Sequence, residues 1–351
     1  MQRAARRARA APNLGKAAPN GAESFVLSLN RAGVALAAER RLDEALGLLD
    51  QAVAIDPRHA ASLHNRGAVQ MMRGDLRGAA ESYALTLALD PTSARGHFNL
   101  ANICRSLGRT ELAIAHLSRV VELDPGHHSA AHVLAATRGE TTDHAPVAYV
   151  RELFDQYALT FERVLTSTLD YQTPRMLREL LVTCAGSNAR FTQAVDLGCG
   201  TGLSGLAFHD CVSVFVGVDV SPGMLEHASD KGVYSRLERS EMVAYLRATS
   251  EDFDLMIAAD ALIYLGNLSP LFGQIARCAL PGAFVLLSVE HTNEAGYVLT
   301  PSGRYAHSSA YIHALSSEHG MTVAASCRAA LRKDAGRDVE GELFALRPRP
   351  V

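Results

Sequence analysis

The sequence predicts two architectures in one chain, an N-terminal α-solenoid followed by a Rossmann-like, doubly wound α/β domain with a mostly parallel sheet and an antiparallel edge strand. Three observations predict it. Proline and alanine recur at a spacing of 34 residues through the N-terminal region. From about residue 190 onward, short apolar runs alternate with helical stretches. The stretch "DLGCGTGLSG" (196–205) sets a glycine-rich loop at the end of the first such run.

At 351 residues the chain has room for two domains of ordinary size. Hydrophobic residues make up 48% and charged residues 20%, the balance of a water-soluble globular protein. The formal charge is −3 with the signs well mixed, so neither nucleic acid nor a membrane surface is an expected partner. Arg3, Arg6, Arg7 and Arg9 lie in an Ala-rich stretch without the apolar core of a signal peptide, and residues 1–25 are expected to form a disordered basic leader. The six cysteines form no C-x-x-C pair and no H-E-x-x-H occurs. A reduced, cytoplasmic protein without a metal centre is expected.

The repeats come first in the chain. Pro57, Pro91 and Pro125 each close "IDP" or "LDP". Ala45, Ala79 and Ala113 follow the same period, and Gly33 and Gly67 share a further position with Ala101. This is the period of the tetratricopeptide repeat, a helix-turn-helix unit in which small residues let two helices approach and proline stops the second. Units are expected at 26–59, 60–93 and 94–127, with a capping helix over 128–139. The first helices of such an array line a concave face. Asn65, Asn99, Asn102 and Arg105 are placed there, with Arg95 nearby, because asparagine both donates to and accepts from an extended peptide. A protein or peptide partner is expected, with homo-oligomerisation as the rival use of the array.

"GETTDHAP" breaks the helical period, so 140–148 is expected to be a linker and 149–351 a second domain. Helical spacing covers 149–181. Strands are predicted at 191–197, 212–220, 253–260 and 282–289, with an antiparallel pair at 321–327 and 341–347. Ligands of doubly wound sheets meet the carboxyl ends of the strands.

The glycine loop has two readings. From Gly200, G-x-G-x-x-G would cradle a pyrophosphate; from Asp196, D-x-G-x-G-x-G would not. A pyrophosphate needs a loop free of negative charge. Asp196 ends the strand one residue before the loop and favours a cationic ligand instead. Asp219 ends the second predicted strand, placed for two ribose hydroxyls. A nucleoside with an ammonium and a sulfonium, and no pyrophosphate, is S-adenosylmethionine.

With those residues in view, 149–347 resembles a class I S-adenosylmethionine-dependent methyltransferase. "VDLGCGTG" is similar to its glycine motif, "GVDVSPGMLEHA" to its ribose segment, and "FDLMIAADALIYLG" and "LPGAFVLLSVE" to its fourth and fifth strands. More narrowly, the chain resembles a bacterial family described as predicted methyltransferases containing tetratricopeptide repeats, through "YVRELFDQYALTFERVL", "PSGRYAHSSAYI" and "GELFALR". The resemblance implies that Gly198, Gly200 and Gly202, with Cys199 and Thr201 between them, pass under the cofactor. It implies that Asp196 steers the methionyl ammonium, that Asp219 and Val220 meet the ribose, and that Ser240 and Glu241 face the adenine. Asp260 and Ala261 would border the transferred methyl. Tyr264, Glu290, His291, Tyr157 and Phe161 are the substrate-side candidates.

The stretch 301–312 concentrates Arg304, Tyr305, His307 and Tyr311 on the acceptor side of the expected pocket. Arg304 is assigned to hold an acidic substrate group, with His307 taking a proton and Tyr305 beside it as a third catalytic candidate. The rival reading makes Ser302 or Ser308 a helix cap and Arg304 an ion-pair partner. No "NPPY" or "DPPY" follows the fourth strand, where amide and nucleobase N-methyltransferases carry it, which argues against DNA adenine methylation. Three function classes follow: a methyltransferase whose array positions a protein-linked substrate, a small-molecule methyltransferase with an oligomerising array, and a non-catalytic S-adenosylmethionine-binding protein. The acceptor itself is not written in the sequence; S-adenosylhomocysteine would be the product in the first two.

Overall fold

The computed structural model describes residues 20–155, 171–334 and 336–349. The expected leader falls mostly outside these residues, as do Tyr157 and Phe161 entirely. Two compact units divide the chain, Met1–Ala131 and His132–Val351.

The first unit is three consecutive helix pairs: α1 (Asn20–Ala38) with α2 (Leu42–Ile55), α3 (Ala60–Met72) with α4 (Leu76–Leu89), and α5 (Ala94–Ser106) with α6 (Thr110–Leu123). The small residues sit where helices touch. Ala45, Ala79 and Ala113 are fully buried. A Cβ on Gly33 would stand 2.8 Å from Leu49 Cγ, and one on Gly67 would stand 3.0 Å from the Tyr83 ring. Pro57, Pro91 and Pro125 occupy the turns that follow α2, α4 and α6. Asp75 and Ser93 cap α4 and α5, accepting from the Gly78 and Gly96 amides.

Helix α7 (His128–Arg138) was expected to cap the array. The division between units falls inside it, and its second half packs in the second unit. His132 Nε2 meets the Gly303 carbonyl at 2.9 Å, and Ala135 and Ala136 join a core cluster with Leu299 and Tyr305. The expected linker is likewise pinned. Thr141 Oγ1 accepts from the Leu299 amide, the Asp143 carbonyl accepts from Gly266 and Asn267, and Ala145 donates to the Tyr264 carbonyl. Polar residues without helical period look like a tether in sequence, but here they supply the hydrogen bonds that bind one segment to another.

The second unit continues with α8 (147–155) and α9 (Thr173–Ala185), then β1 (Phe191–Leu197), α10 (Leu203–Phe208), β2 (Val212–Asp219), α11 (Pro222–Asp230), β3 (Arg236–Arg239), α12 (Met242–Ala248) and β4 (Phe253–Ala258). A single 3₁₀ turn (Leu262–Tyr264) leads to α13 (Ser269–Cys278), β5 (Ala279–His291), β6 (Tyr297–Leu299), β7 (Tyr305–His307), α14 (Ser309–Glu318), β8 (Met321–Asp334) and β9 (Arg337–Pro348). Parallel pairing joins β3, β2, β1, β4 and β5 in that order. Apolar clusters cover both faces, as a parallel sheet requires.

The antiparallel pair β8–β9 extends the sheet beyond β5, with β8 as its antiparallel edge strand. β9 pairs with β5 on one side and with β8 on the other. Glu290 on β5 pairs with Gly341 of β9 and with Ala306 of β7. The β6–β7 hairpin therefore takes the side of β5 that β4 occupies lower down, just beyond the carboxyl end of β4.

Candidate active site

A cavity of about 130 Å³ opens at the carboxyl ends of β1, β2 and β4, in the second unit. Residues 198–201 of the glycine loop line it, whereas Gly202 packs against Tyr234 and Ala228 instead. Gly198, Gly200 and Gly202 all have left-handed backbones, with φ of 75°, 53° and 91°. At Gly198 a Cβ would also come within 2.6 Å of the Ala261 Cβ, so glycine is required there twice over. Asp219 ties the loop to the end of β2, its two oxygens accepting from the Gly200 and Ser221 amides at 2.9 Å each. Burial pushes its carboxyl up, and those amides oppose the shift. Asp155 Oδ1 accepts from the Ser221 hydroxyl behind it (2.6 Å).

Asp196 differs from its expected place. It is fully buried beneath the loop, where Oδ2 accepts from the Tyr234 hydroxyl at 2.6 Å, and it does not line the cavity. Its carboxyl is pushed up to about 7, by burial first, with the Tyr234 hydrogen bond opposing and the Asp219 charge adding. The same phenol accepts from the Gly205 amide. Tyr234 was overlooked in sequence because it stands at no motif position, yet it joins β1, α10 and the segment before β3.

Cys199, Thr201, Val220, Ser240, Glu241, Asp260, Ala261 and Tyr264 line the cavity. Cys199 is a buried filler whose thiol is pushed up by burial and by the nearby carboxylates. Glu241 caps α12 with both oxygens, accepting from Val243 and Ala244. That employs the carboxylate in holding the helix, beyond any contact with a ligand. Sequence reading missed Phe154, Tyr171 and Met242, which add an apolar wall. Spacing alone does not tell a wall residue from ordinary core.

The acceptor-side expectations need the largest correction. His307, Tyr305 and Tyr311 do not line the cavity. His307 is fully buried on β7, with Nε2 3.1 Å from the Gly266 carbonyl and its ring stacked on Tyr311. Burial lowers it to about 4, so it is neutral at pH 7 and ill placed to take a proton. Tyr305 shares a hydrogen bond with Thr142 (2.5 Å), and Tyr311 accepts from the Leu268 amide. These side chains bind the β6–β7 hairpin to its surroundings. Ser308 caps α14, as the rival reading had it. His291 faces Asn293 and Glu342 instead of the cavity.

Arg304 and Glu290 belong to an ionic chain that the sequence did not reveal. Arg332 of β8, nearly fully buried, bonds Asp260 through Nη1 at 2.5 Å and Glu290 through Nη2. Arg304 pairs with Glu290 at 3.1 Å and with Asp334. The register of β8 against β9 shifts between Ala330 and Arg332, so Leu331 and Arg332 are buried in succession. That bulge sends Leu331 into the apolar cluster and Arg332 to Asp260. Asp260 is held in a left-handed backbone (φ 54°), and its amide donates to Ser288 Oγ. Burial pushes the Asp260 and Glu290 carboxyls up, and the arginines pull them back.

These donors fit S-adenosylmethionine. Asp219 and Glu241 put acceptors beside a loop open enough for close backbone approach, and Thr201 Oγ1 is buried at the cavity with no partner among the described residues. No lysine or arginine is found among the described residues lining the cavity. Among the described lining residues the only charged groups a pyrophosphate would meet are the carboxylates of Asp219, Glu241 and Asp260.

Residues 194–282 match the family described as methyltransferase domain, and 94–127 that described as tetratricopeptide repeat. The chain carries a methyltransferase domain. It is 30% identical over 129 residues to human methyltransferase-like protein 27, covering 36% of this chain and 49% of that one. It is 31% identical over 99 residues to the bovine 18S rRNA (guanine-N(7))-methyltransferase, covering 28% and 35%. Over 117 residues it is 32% identical to a tetratricopeptide repeat and J domain-containing co-chaperone of Fusarium oxysporum, covering 33% and 22%. The chain thus spans less than half the length of these curated relatives. All three are eukaryotic, so the narrower likeness to a bacterial family rests on the sequence motifs.

The array residues are partly engaged within the first unit. Asn65 Nδ2 donates to Asn30 Oδ1 at 2.9 Å, and Asn99 bonds the Tyr83 phenol. Asn102 and Arg105 are half-buried on α5.

Proposed function

We propose that this chain is an S-adenosylmethionine-dependent methyltransferase whose repeat array recruits or positions a protein-linked substrate. The observation that carries the reading is Asp219: a carboxylate at the carboxyl end of β2, held by two loop amides and facing a cavity without a described cation. Bound there, the cofactor supplies a methyl group on a sulfonium, already activated for transfer. The chain's own task is then placement, which accounts for much of the rate of a displacement in which reacting atoms must lie in line. Gly198, Gly200 and Gly202 allow close approach, Asp219 takes the ribose, and Ser240 and Glu241 border the base. Asp196, under the loop, holds the Tyr234 hydroxyl and so fixes the loop from below. Asp260, Tyr264, Tyr171 and Phe154 bound the space left for an acceptor.

The role of the array rests on the repeat family and on the polar residues Asn65, Asn99, Asn102 and Arg105. The test is transfer of tritiated methyl from S-adenosylmethionine to proteins of a cell extract. Replacing these four residues by alanine should abolish labelling of the main acceptor while S-adenosylhomocysteine binding stays within twofold. Unchanged labelling would leave the array an oligomerising role.

A further inference from the structure

The end of the cavity bounded by Asp260 combines one carboxylate with three aromatic rings, Phe154, Tyr171 and Tyr264. Burial pushes the phenols of Tyr171 and Tyr264 up, and the Asp260 charge adds to both, with Asp196 adding to that of Tyr171. Phe154 meets Tyr264 edge to face at 5.4 Å. Every nearby described cation is already matched. Arg332 is shared between Asp260 and Glu290, and Arg304 between Glu290 and Asp334. His307, neutral and buried, does not reach the cavity.

An anionic acceptor would therefore meet Asp260, with Asp219 and Glu241 beyond, and find no described countercharge on the cavity wall. A carboxylate among aromatic faces suits the opposite charge, because ring faces attract cations. Asp260 is not free to turn away. Arg332 grips it from behind, and the Ser288 hydroxyl holds its amide.

Resting on the reading that the glycine-loop end holds S-adenosylmethionine, we propose that the methyl acceptor is an amine that enters as an ammonium and is received by Asp260 among Phe154, Tyr171 and Tyr264. Carboxylates and phosphates are excluded as acceptors by the same field. An ammonium gives up one proton before its nitrogen lone pair forms the new N–C bond. The S–C bond breaks with its electron pair left on sulfur, and the proton released per turnover goes first to Asp260 and then to water. Arg332 is a positioning residue in this scheme.

The test is binding to the full-length protein saturated with S-adenosylhomocysteine, using three probes of one size: benzylamine, benzyl alcohol and benzoate. Benzylamine should bind at least tenfold more tightly than either of the others, and Asp260→Asn should remove that preference. Equal binding of benzylamine and benzyl alcohol, or tighter binding of benzoate, would overturn the proposal without need of any variant. A preference for benzylamine that survives in folded Asp260→Asn would overturn the role given to Asp260. Labelling offers a second check, since methyl esters release volatile label in alkali and methylated amines do not. Alkali-labile label would refute an amine acceptor while upholding methyl transfer, whereas failure of S-adenosylhomocysteine to bind would refute the underlying reading instead.

Discussion

At the β1–β2 end of the cavity the polar groups come from one short stretch, Asp196 to Ser221, with Tyr234 behind it. At the β4–β5 end the charged groups come from Asp260, Glu290, Arg304, Arg332 and Asp334, carried on separate strands and a loop. The first end is a local turn whose shape the backbone dictates. The second exists only once the β8–β9 hairpin has paired with β5 and its bulge has turned Arg332 inward. Damage to the first should fall on ligand binding, and damage to the second on folding.

The largest effect should come from Arg332→Ala. It strands buried Asp260 and leaves Glu290 with Arg304 alone, and breaking a buried ion pair from one side costs about 3–5 kcal/mol. A fall in unfolding free energy of that size, read from urea titration, is expected for the second unit, with S-adenosylhomocysteine affinity in the remaining folded protein changed only a few-fold. A loss below about 1 kcal/mol would mean the ionic chain is not buried as described.

Next in size is a pH effect. His307 sits at about 4 in the folded protein, against about 6.5 unfolded. The unfolded chain binds the extra proton between those values, so this residue makes stability fall as pH drops from about 6.5 to about 4, by up to ~3 kcal/mol. Asp196 acts with the opposite sign. Raised to about 7, it keeps its proton when folded and releases it when unfolded, so its contribution falls as pH rises from about 4 to about 7. His307→Gln should flatten the acid limb of urea midpoint against pH and should leave methyl transfer intact. Loss of turnover with unchanged stability would return His307 to the catalytic role expected from sequence.

Gly198→Ala sharpens the contrast from the other side. It forces a left-handed alanine against Ala261, a strain of roughly 1–3 kcal/mol. The cost should appear as about a tenfold or greater loss in S-adenosylhomocysteine affinity by calorimetry. The smallest effect is expected in the array, where Asn65→Ala removes one hydrogen bond to Asn30, worth about 1 kcal/mol. Thermal unfolding of the array would register it.

The difference between the two ends also explains what the sequence made legible. Repeat period, the strands β1, β2, β4 and β5, the glycine loop and Asp219 are local patterns, readable because backbone geometry restricts residue choice within a few positions. Arg332 lay in "RAALRKDAGRDVE", where strand signals are weak and a bulge breaks the alternation that would have marked it as inward. Arg304, Tyr305, His307 and Tyr311 had suitable chemistry within eight residues of sequence, but β7 pairs with the end of β5 and buries His307. Chemical richness in a loop position was mistaken for access to the cavity. The segment 140–148 failed in reverse, as a plain polar stretch that proves to be hydrogen-bonded throughout the β6–β7 region.

The central claim is that the cavity takes an S-adenosyl nucleoside and not a dinucleotide. Calorimetric titration of the protein with S-adenosylhomocysteine and, separately, with NAD tests it most directly. Saturable binding of S-adenosylhomocysteine, weakened by about 2–3 kcal/mol in Asp219→Ala, is expected because a charged acceptor for two hydroxyls is lost. NAD should give no binding heat. Binding of NAD in place of S-adenosylhomocysteine, or an Asp219→Ala protein that binds as the parent does, would contradict the account.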